Sequence, residues 1–300
     1  MNESRASSDI VLMEKDGTTA RLILNRPEKG NALPFDSLDL LVDLLHEAED
    51  DDDIKVIILK GLGASFCTGD DFDDIAVAYG HVGAQPGKRP PRLSQRERLA
   101  IDRRLGRAVA GFQNSAKPVI AQVHGHCVGI GMYLVEVADL ALCAHSTRFS
   151  HAEQRLGLAG NTFHLTHLIM AYGPKKAREL LLFGDQFDGP TAQDIGVVNL
   201  SVPDDELEVT VEAWAAKVAR NAKDALVMGK AAHNMALAAL GVSGYIHAGM
   251  VGHALGTNVK FDDGEFNFFR SRRDGGTKEA FQGRDAHHAT GHDQVRTNPS

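Results

Sequence analysis

Cysteine is scarce: Cys67, Cys127 and Cys143 are the only three in 300 residues, and they lie far apart. An odd, scattered set offers neither a disulfide framework nor a paired metal spacing, and a reducing cytoplasm is the expected compartment. Long apolar runs are absent too, so no segment reaches the roughly 20 residues of a membrane span. The first nine residues, MNESRASSD, lack the apolar stretch of a secretory signal. Positive charge is in short supply: 32 Lys and Arg face 40 Asp and Glu, a formal charge of −8. That argues against a nucleic-acid partner, which calls for a basic footprint; a small anion needs only a local cluster. The Gly61 and Gly63 turn lacks the Gly-x-Gly-x-x-Gly arrangement of a dinucleotide site. The histidines show no zinc spacing, so no metal is expected.

What is present suits a folded soluble chain: 43% hydrophobic and 24% charged residues. The length allows one large domain, or a main domain with an appendage. Ile10 to Met13 and Thr18 to Leu24 flank an Asp16-Gly17 turn signal, which predicts a hairpin. FDSLDLLVDLLHEAEDD follows, with Leu38, Leu41, Leu45 and Ala48 at helical spacing. KVIILK, Lys55 to Lys60, reads as a buried strand of a mixed sheet. Residues 80–94 read as a loop rich in Pro and Gly. Gln95 to Gln113 is predicted helical, Pro118 to Val123 a strand, Val128 to Val137 a short buried helix, and Asp139 to Cys143 another strand. From Asp204 the pattern is helical, with one helix expected after an Asn221 cap and Asp224 in its first turn. Gly241 to Gly256 is apolar and small-rich, hence buried against something. Three parts follow: residues 1–203 as a core, 204–284 as a helical region, and a polar tail, 285–300, expected to be disordered.

One local arrangement occurs twice: strand, glycine turn, helix. The copies are KVIILKGLGASFCTGDDF and KPVIAQVHGHCVGIGMYL. Either each turn is an ordinary connection, or its backbone N–H groups are aimed at a reacting oxygen.

Five stretches, in order, resemble the crotonase superfamily of enoyl-CoA hydratases and isomerases. They are RLILNRPEKGNAL, the turn Gly61 to Phe72, the turn Gly125 to Leu134, FSHAEQRLGL (Phe149 to Leu158), and the weaker Tyr172 to Asn199. The resemblance spans roughly residues 10–200. It implies an α/β fold, a crotonase-like spiral of ββα units with C-terminal helices that form trimers or hexamers. It also implies an acyl-CoA thioester whose carbonyl sits between two amides, here those of Asp70 and Ile130. Both would stabilise an enolate oxygen as charge develops. The Asp70 carboxylate, if charged, would oppose that oxyanion. It must point away, be protonated or cap the following helix; Asp71 is expected to anchor the helix start.

Family hydratases use two glutamates. The second is kept as Glu153, while Tyr133 stands at the first. A phenol is a poor base at neutral pH. Tyr133 therefore orients water, holds a substrate hydroxyl, or lines the acyl pocket. Burial is expected to raise the pKa of Glu153 and suit it to moving a proton. Its alternative is a capping residue, or a salt bridge to Arg155. His151 is a candidate second acid–base group. Glu136, three residues beyond Tyr133, reads better as an ion-paired helix residue. His124 and His126 read as substrate contacts or backbone-bonded residues. Asn161, where some relatives carry a catalytic carboxylate, reads as a helix cap or a binder of water or acyl substituent.

CoA is expected as part of the substrate, not as a separate cofactor. By resemblance its adenine wall includes Ala32, Leu33, Phe66, Asp70 and Phe72, with Arg26 near the phosphates or on the surface; Lys278, from this or another subunit, is a candidate for the 3′-phosphate, and Lys88, Arg89 and Arg92 are candidates for charge steering. The leading function is hydratase or isomerase chemistry. Carbon–carbon bond hydrolysis of a cyclic β-keto thioester and a non-catalytic acyl-CoA binder are the alternatives.

Overall fold

The opening hairpin forms where the turn signal places it. β1 (Val11–Asp16) pairs antiparallel with β2 (Thr19–Leu24). The computed structural model describes residues 9–78, 93–157, 159–256 and 261–289. In chain order the next elements are α1 (Phe35–Asp50), β3 (Val56–Gly61), α2 (Phe72–Ala78) and α3 (Gln95–Asn114). β4 (Val119–Val123), β5 (His126–Val128), α4 (Ile130–Val137), β6 (Leu140–Ala144) and β7 (Arg148–Ser150) follow. Then come α5 (Leu165–Phe183), α6 (Gly189–Asp194), β8 (Leu200–Val202), α7 (Leu207–Ala219), α8 (Lys223–Ala239), α9 (Val242–Gly256) and α10 (Phe268–His288).

The main sheet runs β1-β2-β3-β4-β6-β8, parallel after the hairpin. β5 and β7 form a separate parallel pair. β3 and β4 are buried on both faces, which explains their unbroken apolar runs. α1 turns Leu38, Leu41, Leu45 and Ala48 into the core. α3 starts at a capping box in which Ser94 and Glu97 satisfy each other's backbone amides. The opposite face of the sheet carries α7, whose Leu207, Val211 and Ala215 pack with Val56, Ile58, Ile120 and Leu142. α9 lies against α3 and α5 and sends Ile246 and Met250 into the main core. The expected burial of Gly241 to Gly256 is met within the chain on one face only; Val251 and Leu255 stay exposed.

Two details differ from the sequence expectations. α8 is capped by Ala222, because Asn221 turns back and donates Nδ2 to Val218 O at 2.9 Å. α10 continues to His288, past Asp285, where the polar tail was expected to begin. Residues 80–92 of the expected loop lie outside the described residues, as do 290–300, and with them His81, Lys88, Arg89 and Arg92.

Gly125 joins β4 to β5 at φ +60, and a Cβ there would fall 1.9 Å from Ala64 O. Backbone cannot yield as a side-chain tip can. Gly125→Ala is expected to destabilise the fold by at least ~2 kcal/mol, read from the shift in urea midpoint.

Candidate active site

The two glycine turns meet. Cys67 N donates to His126 O at 3.1 Å and Val128 N to Cys67 O at 2.9 Å, which stitches the first turn to β5. Gly69 (φ +106) and Gly129 (φ +56) then face each other. A Cβ on Gly129 would lie 3.4 Å from Gly69 Cα and 3.9 Å from Glu153 Oε2. Glycine is required here by both backbone angle and space.

Past each glycine stands an amide with no carbonyl partner among the described residues: Asp70 and Ile130. Ile130 is the first residue of α4, where an N–H has no intrahelical acceptor and the helix dipole favours negative charge. Ile130 has no exposed surface. Asp71 fills the anchoring role expected of it: Oδ1 accepts from Asp73 N at 2.8 Å, and Oδ2 pairs with Arg26. Asp70 does not cap α2, which starts at Phe72. Its Oδ1 is buried and has no hydrogen-bond partner.

Glu153 lies in a short 3-10 turn, Ala152–Leu156, that follows β7. Three side chains converge on its Oε1: Tyr133 OH at 2.9 Å, His151 Nδ1 at 3.1 Å and Gln154 Nε2 at 3.4 Å. Oε2 is buried and unpartnered, aimed at Gly129. Arg155 does not contact Glu153; it pairs with Asp185 and donates to Phe183 O.

His151 is wedged between two carboxylates, with Nε2 3.0 Å from Glu136 Oε1. Both ring nitrogens meet carboxylate oxygens, so both carry protons and the ring is an imidazolium. Burial opposes that charge, but Glu136 and then Glu153 override it and hold His151 at about 10. The residue is therefore a fixed cation rather than a neutral-pH acid–base group, which corrects that expectation. The same geometry corrects Glu153. Burial alone would raise its pKa, yet the His151 hydrogen bond and charge bring it below the usual glutamate value. Glu153 is a carboxylate held ionised, with one free oxygen.

Glu136 is fully enclosed. It meets His151, then His164 Nε2 at 2.6 Å and Tyr172 OH at 3.1 Å. Burial works against its charge, but His151 and His164 hold it far below the ordinary range. The ion-paired reading of Glu136 is the one observed. Tyr133 is buried, and burial followed by the charge of Glu153 keeps its phenol well above the ordinary value. It donates to the carboxylate and cannot serve as a base.

The sequence reading did not single out His164, Tyr172, Asp102 or His253. His253 Nδ1 lies 2.9 Å from Asp102 Oδ1, and its ring packs on Phe163 with centroids 4.7 Å apart. One signal was available: His253, like His247, interrupts a run of mostly small and apolar residues, and a buried polar group requires a partner. Asn161 does not cap α5, which begins after His164; its carbonyl accepts from Gln154 Nε2 at 2.9 Å.

Leu33 and Phe66, expected on the CoA wall, are core residues instead. Neither has exposed surface, and their amides already donate to Gly69 O and His124 O. Ala32 and Phe72 are partly exposed. Phe72 contacts Phe268 and Phe281 of α10, and Arg272 donates to Phe72 O at 2.8 Å. Arg26 Nη1 is engaged by Asp71 and by Ala32 O, which fixes the loop below Leu33. His124 Nε2 sits 2.9 Å from Gly63 O, the backbone-bonded reading. Lys278 is exposed on α10.

Two amides that follow facing glycines, one of them at a helix start, thus lie near the Glu153 carboxylate. The chain belongs to the enoyl-CoA hydratase/isomerase family, whose sequence model matches residues 14–251. It is 31% identical over 197 residues to a peroxisomal Δ(3,5)-Δ(2,4)-dienoyl-CoA isomerase of Arabidopsis thaliana, a match covering 66% of this chain and 70% of that protein. The fold is similar to an enoyl-CoA hydratase of Mycobacterium smegmatis (TM-score 0.80, 25% identity, 92% of this chain and 93% of that one). It is also similar to an enoyl-CoA hydratase/isomerase of Xanthobacter autotrophicus Py2 (TM-score 0.78, 26% identity, 93% and 98%). Among the described residues no helix is long and apolar enough to cross a membrane.

Proposed function

We propose that this protein is an enoyl-CoA isomerase, which moves a double bond along the acyl chain of a CoA thioester. The observation that carries the reading is Glu153: three donors occupy Oε1, and Oε2 alone stays free beside Gly129. In a 3-enoyl thioester, Oε2 takes a proton from C2. The electron pair moves into the carbonyl, and the resulting oxyanion accepts hydrogen bonds from the Asp70 and Ile130 amides. Return of a proton at C4 completes the shift to the 2-enoyl product. Hydration needs a second base for water, and Tyr133 donates to Glu153 with its proton firmly held. The dienoyl-CoA isomerase relative supports the same choice.

CoA enters as the carrier of the acyl group, with Ala32, Phe72 and Arg26 nearest its expected path. A trimer or hexamer in a reducing cytoplasm fits the exposed Met228, Met235, Leu240, Val251 and Leu255 on and between α8 and α9, and the three free, buried thiols. The test is a mass-resolved assay with paired 2-enoyl- and 3-enoyl-CoA substrates, cyclic acyl groups included. Conversion of the 3-enoyl thioester at constant mass is expected. Gain of one water by the 2-enoyl thioester would assign a hydratase, water-consuming ring opening a carbon–carbon hydrolase, and binding without any reaction a non-catalytic member.

A further inference from the structure

We infer that the Asp70 side chain, and not only its amide, takes part in the reaction as a second acid facing Glu153 across the enolate. This rests on the isomerase reading. Two buried carboxylate oxygens near the paired turns have no partner: Asp70 Oδ1 and Glu153 Oε2. Gly69, next to Asp70, and Glu153 Oε2 both lie within 4 Å of the point a Gly129 Cβ would occupy. A buried polar atom without a partner is costly in a structure that serves only stability. Here it is matched by a second one on the reacting carboxylate.

The charges around Asp70 favour a neutral carboxyl. Glu153 faces it from the 3-10 turn, Asp102 from α3 and His253 from α9. Burial first, then the negative charge of Glu153, push its pKa up to about 7; His253 works the other way, and Asp102 adds a smaller push upward. Neutral Asp70 removes the conflict between a carboxylate and the oxyanion held by its own amide. It also supplies a proton at neutral pH, where a carboxylic acid with such a value donates well.

The step balances as follows. The C2–H bond breaks and its proton goes to Glu153 Oε2. The electron pair forms C2=C3 through the enolate, and the C3=C4 pair takes the Asp70 proton at C4. Asp70 leaves the cycle ionised and Glu153 protonated; a proton returns from Glu153 to Asp70 through water before the next turnover. No other reactant is needed.

Two measurements test this. With a 3-enoyl-CoA deuterated at C2, the native enzyme is expected to place a solvent proton at C4, because the incoming proton comes from Asp70. Transfer of the C2 deuterium to C4 would mean that Glu153 shuttles alone, and would overturn the proposal. Asp70→Asn keeps the backbone amide. It is expected to lower isomerisation by about 10²-fold or more while C2 still exchanges with solvent. Isomerisation by Asp70→Asn at the native rate would overturn the proposal. Absence of both exchange and isomerisation in the native enzyme would instead remove the isomerase reading on which it stands.

Discussion

Glu153→Gln is expected to lower kcat for 3-enoyl-CoA isomerisation by about 10²- to 10⁴-fold, the usual contribution of a positioned acid–base group. Glutamine keeps the volume of the side chain, and its amide oxygen can still accept from Tyr133. The two amides proposed to hold the oxyanion are on other elements, Asp70 after the first turn and Ile130 at the start of α4. Substrate affinity should therefore change less than kcat, a split that steady-state kinetics reads directly. Comparable kcat in the variant would show that Glu153 only organises the loop. His151 loses one of its two anionic partners in this variant, so melting curves belong beside the kinetics.

Glu136→Leu is expected to destabilise the protein by about 3–5 kcal/mol, because it strips the carboxylate from buried partners that include the charged His151. His151, His164 and Tyr172 all address Glu136, and the two histidines and Glu136 have fully buried side chains. The effect depends on pH with a definite sign. His151 is raised in the folded state to about 10 from 6.5. Its stabilising contribution is complete below the unfolded value and is lost as pH rises toward about 10. Glu136 is lowered from 4.5. Its contribution is present above that unfolded value and is lost as pH falls further toward the folded one. The stability gap between native protein and Glu136→Leu should thus be widest between about pH 4.5 and 6.5 and narrow toward pH 10. Urea unfolding across that range measures it. A gap that widens with rising pH would mean that His151 is neutral in the fold. The variant should also slow catalysis, since a displaced His151 no longer orients Glu153.

Much of the scaffold was legible because its causes are local. The Asp16-Gly17 turn, the helical spacing of Leu38 to Ala48 and the glycine pairs at the two turns each announce their conformation within a few residues. The nearness of Glu153 to the two glycine turns was legible through motifs that bring their spacing with them. The electrostatics were not. His151 and Glu136 are fifteen positions apart, and Asp102 and His253 lie in distant helices, so only the tertiary path makes them partners. Burial of Glu153 suggested a raised pKa, and a neighbouring imidazolium reversed the sign. Leu33 and Phe66 were placed on a ligand wall by motif position, yet hydrophobicity and satisfied amides put them in the core. Asp70 was recognised as a conflict with the oxyanion. Which charges surround it depends on the tertiary fold.

The central claim is that two backbone amides and the free oxygen of Glu153 together make and hold an enolate. Proton exchange at C2 tests it most directly. A saturated acyl-CoA, which cannot isomerise, is incubated with the enzyme in D2O and followed by mass. Deuterium should enter at C2 with the native enzyme and not with Glu153→Gln. A native enzyme that binds the thioester but leaves C2 unlabelled would contradict the account.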